Sequence, residues 1–184
     1  MNRDRRPIRL PRTDSVPVLR TDFTDLAGWA RLLQALKMPI AYEEGSQDVH
    51  DYDRAISYVT PFDEEEYQGL LPATVLAAAP DTGHDLPYDH LYLPDAETFA
   101  SDDLPLLGID IHVNDAGDES WPREEPFRVP ALHVTNVEVN DSLGNLSFIE
   151  FHGSDWAGFE MYVAGPGTAM YEEFRRMDQE DERD

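Results

Sequence analysis

The chain of 184 residues contains no cysteine. Disulfides, thiolate nucleophiles and cysteine-based metal sites are therefore excluded. It has one lysine, Lys37, beside 13 arginines. No glycine-rich loop leads into that lysine, which removes the phosphate-binding loop of nucleotide hydrolases; Gly165-Pro166-Gly167 has no lysine nearby. There is no Gly-x-Ser-x-Gly elbow to present a serine nucleophile. No apolar run approaches the ~20 residues of a membrane helix, and the basic N-terminus is not followed by the apolar stretch of a secretory signal. The expectation is a cytoplasmic protein with no cofactor and no membrane contact.

Positive charge is scarce: 14 Lys and Arg stand against 38 Asp and Glu, a net charge of −24. The imbalance is uneven. Residues 1–20 hold six arginines and two aspartates, net +4, so the remaining residues carry net −28. Such a body repels nucleic-acid phosphates and attracts basic proteins and cations. Acid-rich surfaces also serve solubility alone. Arginine codons are GC-rich, so a single lysine points to a GC-rich actinobacterial source, or to a salt-adapted organism whose acidity reflects its solvent.

Apolar residues make up 41% of the chain, enough for a core. The organisation reads as a flexible basic arm over 1–15, a single acidic α/β domain over 16–177 and a disordered acidic tail over 178–184. Val16 to Phe23 predicts a first strand. Thr24 or Asp25 caps a helix with Leu26, Trp29, Leu32, Leu33 and Leu36 at helical spacing, stopped at Pro39. Residues 43–54 read as a loop and Ala55–Val59 as a strand. Pro72 opens a helix to about Ala79. His90–Leu93 and Leu106–Val113 read as buried strands, and Phe127–Pro130 as a short one. Residues 132–156 fit either a hairpin turning at Ser142–Asn145 or a short helix opened by a Ser147/Glu150 capping box. Thr168 caps a last helix from Ala169 to about Met177. Strands alternating with helices give an α/β (or α+β) class, a small mixed sheet flanked by helices.

Val18-Leu19-Arg20-Thr21-Asp22-Phe23-Thr24-Asp25 and the stretch Asn140 to Phe151, with its Asn-x-x-Leu-x-Asn-x-x-Phe-x-Glu-Phe pattern, are the most specific parts of a wider likeness. Further segments are Leu70 to Pro80, Asp95 to Phe99, Leu104 to Asp110 and Phe127 to Pro130. Together they resemble an uncharacterised actinobacterial family of small acidic α/β proteins, a domain of unknown function opening V-L-R-T-D-F-[ST]-D. The resemblance covers most of residues 16–160. It implies one compact domain with no assigned activity or site, and it tilts residues 141–156 towards helix. The basic arm, the acidic stretch around 112–126 and the extension past about 160 depart from the pattern.

The sharpest site in the sequence is a metal centre. Asp110 and His112 share a strand face at i and i+2, and Asp89 and His90 begin a neighbouring strand, so a carboxylate–imidazole cluster forms if the strands pair. Its alternative is a histidine bonded to a neighbouring acid. For partner binding the candidates are Trp121, an aromatic anchor amid Asp115, Asp118 and Glu119, and the acidic loop of Asp48, Asp51 and Asp53. These loops lack the ligand pattern of an EF-hand. Three functions follow. The first is a non-catalytic interaction protein whose acidic face binds a basic protein partner, in the manner of an immunity protein, an antitoxin or a nucleic-acid mimic. The second is a structural accessory domain whose charge serves solubility. The third is a metal-dependent enzyme or binding protein. Direct nucleic-acid binding is not expected.

Overall fold

Val16-Pro17-Val18-Leu19 forms the first strand, β1, with Val18 and Leu19 fully buried on opposite faces, as the two-residue period of a strand requires. The computed structural model describes residues 8–79, 86–112, 125–165 and 167–181. β1 ends at Leu19, short of the predicted Phe23. Thr21 turns its backbone N–H and hydroxyl to the Pro94 carbonyl, and Asp22 bonds the Thr24 amide, which bends the chain into a helix. That helix, α1 (Leu26–Leu36), starts where Asp25 accepts the Gly28 amide at 2.7 Å. It buries Trp29, Leu32 and Leu36, while Leu26, predicted on the same face, is 71% exposed.

The chain continues through β2 (Ile40–Ala41), β3 (Tyr52–Asp53), β4 (Val59–Phe62) and α2 (Pro72–Ala78). The strand expected at Ala55–Val59 is displaced: Ala55–Ser57 is a 3-10 turn and pairing begins only at Val59. Next come β5 (His90–Leu93), α3 (Ala96–Ala100), β6 (Leu106–Asp110), β7 (Phe127–Val129) and α4 (Val134–Ser142). A 3-10 helix at Phe148–Phe151, β8 (Tyr162–Val163) and α5 (Ala169–Asp181) complete the described chain. The hairpin alternative at 132–156 is thereby excluded, and the Ser147/Glu150 capping box is present as read. The last helix runs four residues beyond Met177, to Asp181.

Five strands form the main sheet in the order β4-β1-β5-β6-β7. β4, β1 and β5 are parallel; β6 and β7 run antiparallel to their neighbours. The described residues thus build an α/β domain on a mixed sheet. One face packs α1, α3, α4 and the Phe148–Phe151 turn around Val18, Tyr92 and Leu106. The other packs α2, Tyr67 and Tyr88 on Leu19, Leu91 and Ile109. Within residues 8–15, expected as part of a flexible arm, Ile8 and Leu10 pack on this second face and Tyr88 donates its hydroxyl to the Pro11 carbonyl at 2.6 Å. A small antiparallel sheet, β3-β2-β8, stands beside α5, whose Phe174 meets Tyr52 edge to face.

Candidate functional site

β5 begins with a histidine, and its alternation sends His90 and Tyr92 to the same face, towards α4. There α4 offers Glu138, 4% exposed. One carboxylate oxygen, Oε1, accepts the Tyr92 hydroxyl at 2.6 Å and lies 2.9 Å from His90 Nε2. The other ring nitrogen, Nδ1, lies 2.7 Å from Asp89 Oδ1. The imidazole is therefore held at both nitrogens between two carboxylates. Its ring is also stacked on Phe148, with centroids 4.1 Å apart and planes 8° from parallel. Gly108 on β6 makes this possible, because a Cβ there would sit 2.6 Å from Phe148 Cζ.

Burial alone would push the His90 pKa down. The charge of Glu138 and the bonds to Asp89 and Glu138 outweigh it and raise the pKa to about 10, so the ring is an imidazolium at neutral pH. Its bond to Asp89 lowers that carboxyl. Asp141, one turn after Glu138, is pushed up by burial and by the charge of Asp89. Burial and Glu138 keep the Tyr92 hydroxyl protonated.

These groups form part of a cavity of about 480 Å³. Asp14, Asp89, Glu138 and Asp141 are among its lining residues, with Tyr58 and Tyr88. Glu138 Oε2 takes no bond from any described residue, and Glu138 lines the cavity. Asp89, His90 and Asp141 each bring one ligand atom within 4.8 Å of the others. A divalent ion would fit there only after His90 released the Nδ1 proton, since an imidazolium has no lone pair to give.

The sequence placed Asp89 and His90 correctly at a strand end, and Asp110 lies opposite His90 in the β5–β6 register. Asp110 and His112 do not join the three-residue group. β6 stops at Asp110, whose carboxylate accepts the His112 amide at 2.8 Å, so the two side chains are not the i and i+2 pair of one strand. Asp48 caps a 3-10 turn, Asp51 is exposed in it, and Asp53 accepts the hydroxyl of Tyr58, which lines the cavity. Trp121, Asp115, Asp118 and Glu119 lie outside the described residues. Glu138, Tyr92, Asp141 and Phe148 were not singled out from sequence; the one signal was the Asn140–Phe151 pattern, which contains Asp141 and Phe148.

Both that pattern and the Val18–Asp25 stretch fall inside the residues that a family model matches. The chain belongs to the DUF6924 family. The model, a domain of unknown function, matches residues 15–159. No curated protein and no solved structure matches the chain. The DUF6924 stretch holds the whole five-stranded sheet and all the groups around His90, while β8 and α5 lie beyond it. In this chain Arg20, 1% exposed, bonds Asp63 and the Asp22 carbonyl and stacks over Phe23.

Proposed function

We propose that this DUF6924 protein is a cytoplasmic, non-catalytic binding protein, and that a cationic side chain of a basic protein partner enters the cavity beside His90. One observation carries the reading: four carboxylates line a single cavity whose one described internal cation, His90, is already shared between two of them. The remaining negative potential is unspent and selects for positive charge. The net −28 outside the first 20 residues would steer such a partner at low salt.

The test compares two double variants of the full chain binding a blocked octapeptide of alternating Lys and Arg. Asp89→Asn/Asp141→Asn removes two cavity charges; Glu65→Gln/Glu66→Gln removes two exposed ones elsewhere. The cavity pair is expected to weaken binding about tenfold, and the surface pair less than about twofold, because only the cavity pair, half-exposed as Asp89 is, stands beside the entering cation. Equal losses would leave the acidity as a solubility device and end the cavity reading.

The 4.8 Å convergence favours a second reading, a divalent-cation site on Asp89, His90 and Asp141. It requires loss of a His90 proton, so Mn²⁺ or Zn²⁺ titration should release one proton per ion bound and fail in Asp141→Asn. Binding without proton release would rule out His90 as a ligand.

A further inference from the structure

We infer that the group the cavity accepts is a guanidinium, supplied by an arginine side chain of the partner, in preference to a lysine ammonium. This rests on the cation-binding reading above and narrows it. Glu138 lines the cavity and is more than nine-tenths buried, and its Oε2 has no donor among the described residues. Asp89 and Asp141 add acceptors in the lining of the same cavity. Several acceptors around one entering group suit a planar fork of five N–H donors better than a compact ammonium with three.

Desolvation points the same way. A guanidinium is weakly hydrated and its charge is spread over the plane, whereas an ammonium is a strongly hydrated point charge. The cavity already holds the His90 imidazolium, and a spread charge tolerates that neighbour better. Tyr58 and Tyr88 are among the lining residues, and aromatic rings are groups on which guanidinium planes stack. The protein treats its own arginines in this manner: Arg20 lies over Phe23 and within reach of Trp29 while bonding Asp63, and Arg128 is held by both oxygens of Asp95.

A macromolecular source is favoured by the exposed chain that continues from the cavity lining. Ser142 lines the cavity, and the next residue, Leu143, is 68% exposed, with Leu146 also exposed. A free small guanidino compound would leave these side chains untouched; a partner surface would cover them.

The experiment measures affinities of the full chain for Ac-Gly-Arg-Gly-NH2, Ac-Gly-Lys-Gly-NH2 and butylguanidinium. The arginine peptide is expected to bind at least ~10-fold more tightly than the lysine peptide, a difference of about 1.4 kcal/mol. Glu138→Gln should reduce that preference to about twofold or less. If Glu138→Gln fails to fold, Asp141→Asn at the wall provides the same comparison. Equal affinities, or a lysine preference, would overturn the guanidinium assignment while leaving the cation-binding reading intact. Failure of all three probes would overturn both. Butylguanidinium binding as tightly as the arginine peptide would overturn the side-chain source, and a gain for the peptide that is lost in Leu143→Ser would support it.

Discussion

At the scale of single residues, the buried ion group sets the terms. Glu138 is one of the few buried charges, and its Oε1 depends on two donors, Tyr92 and His90. Removing one donor leaves a buried charge with half its support. Tyr92→Phe keeps the ring and deletes only the hydroxyl, so it should cost about 2 kcal/mol in urea denaturation, the size of a bond to a charged group. A neutral result would mean that Glu138 repairs its solvation from the cavity. His90 gives a pH prediction whose sign is fixed. Its folded pKa stands at about 10 against an ordinary 6.5, so the stability it contributes is complete below pH 6.5 and is lost as pH rises through about 10. The groups facing it are Asp89, Glu138 and Asp141, all carboxyls, with the Tyr92 hydroxyl beside them. With no cysteine to titrate in that window, a fall in unfolding free energy between pH 7 and 10 is expected in urea melts. A flat profile would show that His90 is neutral in the folded protein.

At the scale of elements, α1 reverses an ordinary rule. Gly28 sits inside a helix, where alanine usually gains about 1 kcal/mol. Here a Cβ would lie 2.6 Å from Asp25 Oδ2 and 2.8 Å from Phe99 Cβ, so Gly28→Ala must disturb both the N-cap and the α1–α3 contact. A lowered melting temperature is expected; a raised one would show that the cap relaxes without cost. α1 was legible because Asp25, Trp29, Leu32 and Leu36 state its start and its buried stripe in one reading frame. α2 and the Ser147 turn were legible for the same kind of reason, a proline and a capping box at their first positions. α4 was not. Val134 to Glu138 are buried in succession, so no polar face marks the helical period, and Val137 and Val139 read equally well as alternate positions of a strand. β8, two residues long, owes its pairing to Ile40 and Ala41 far away in sequence. The site divides along this line. Asp89 and His90 announce themselves by standing at a strand end, whereas Glu138 enters from 48 residues away on the helix that hides its period.

At the scale of the whole molecule, the charge acts as a load on the fold. Some acids are offset internally: Arg20 holds Asp63, and Arg128 holds Asp95 and Glu97. With 38 acidic side chains and 14 basic ones, most cannot be, and their mutual repulsion favours an expanded chain. Salt screens exposed charges more than about 10 Å apart at 0.1 M, yet reaches the buried His90–Glu138 pair far less. Raising NaCl from about 20 mM to about 500 mM should therefore relieve the repulsion while sparing the site, and the melting temperature should rise by roughly a few degrees. The same change should weaken binding of a basic peptide, because steering and the cavity's attraction are electrostatic. The two responses have opposite signs and one cause, so they can be read in a single salt series by calorimetry and titration. A melting temperature that fell with salt would mean that the ion pairs of Arg20 and Arg128 outweigh the repulsion of the unpaired acids. The acidity would then be a stabilising network, and its availability to a cationic partner would shrink accordingly.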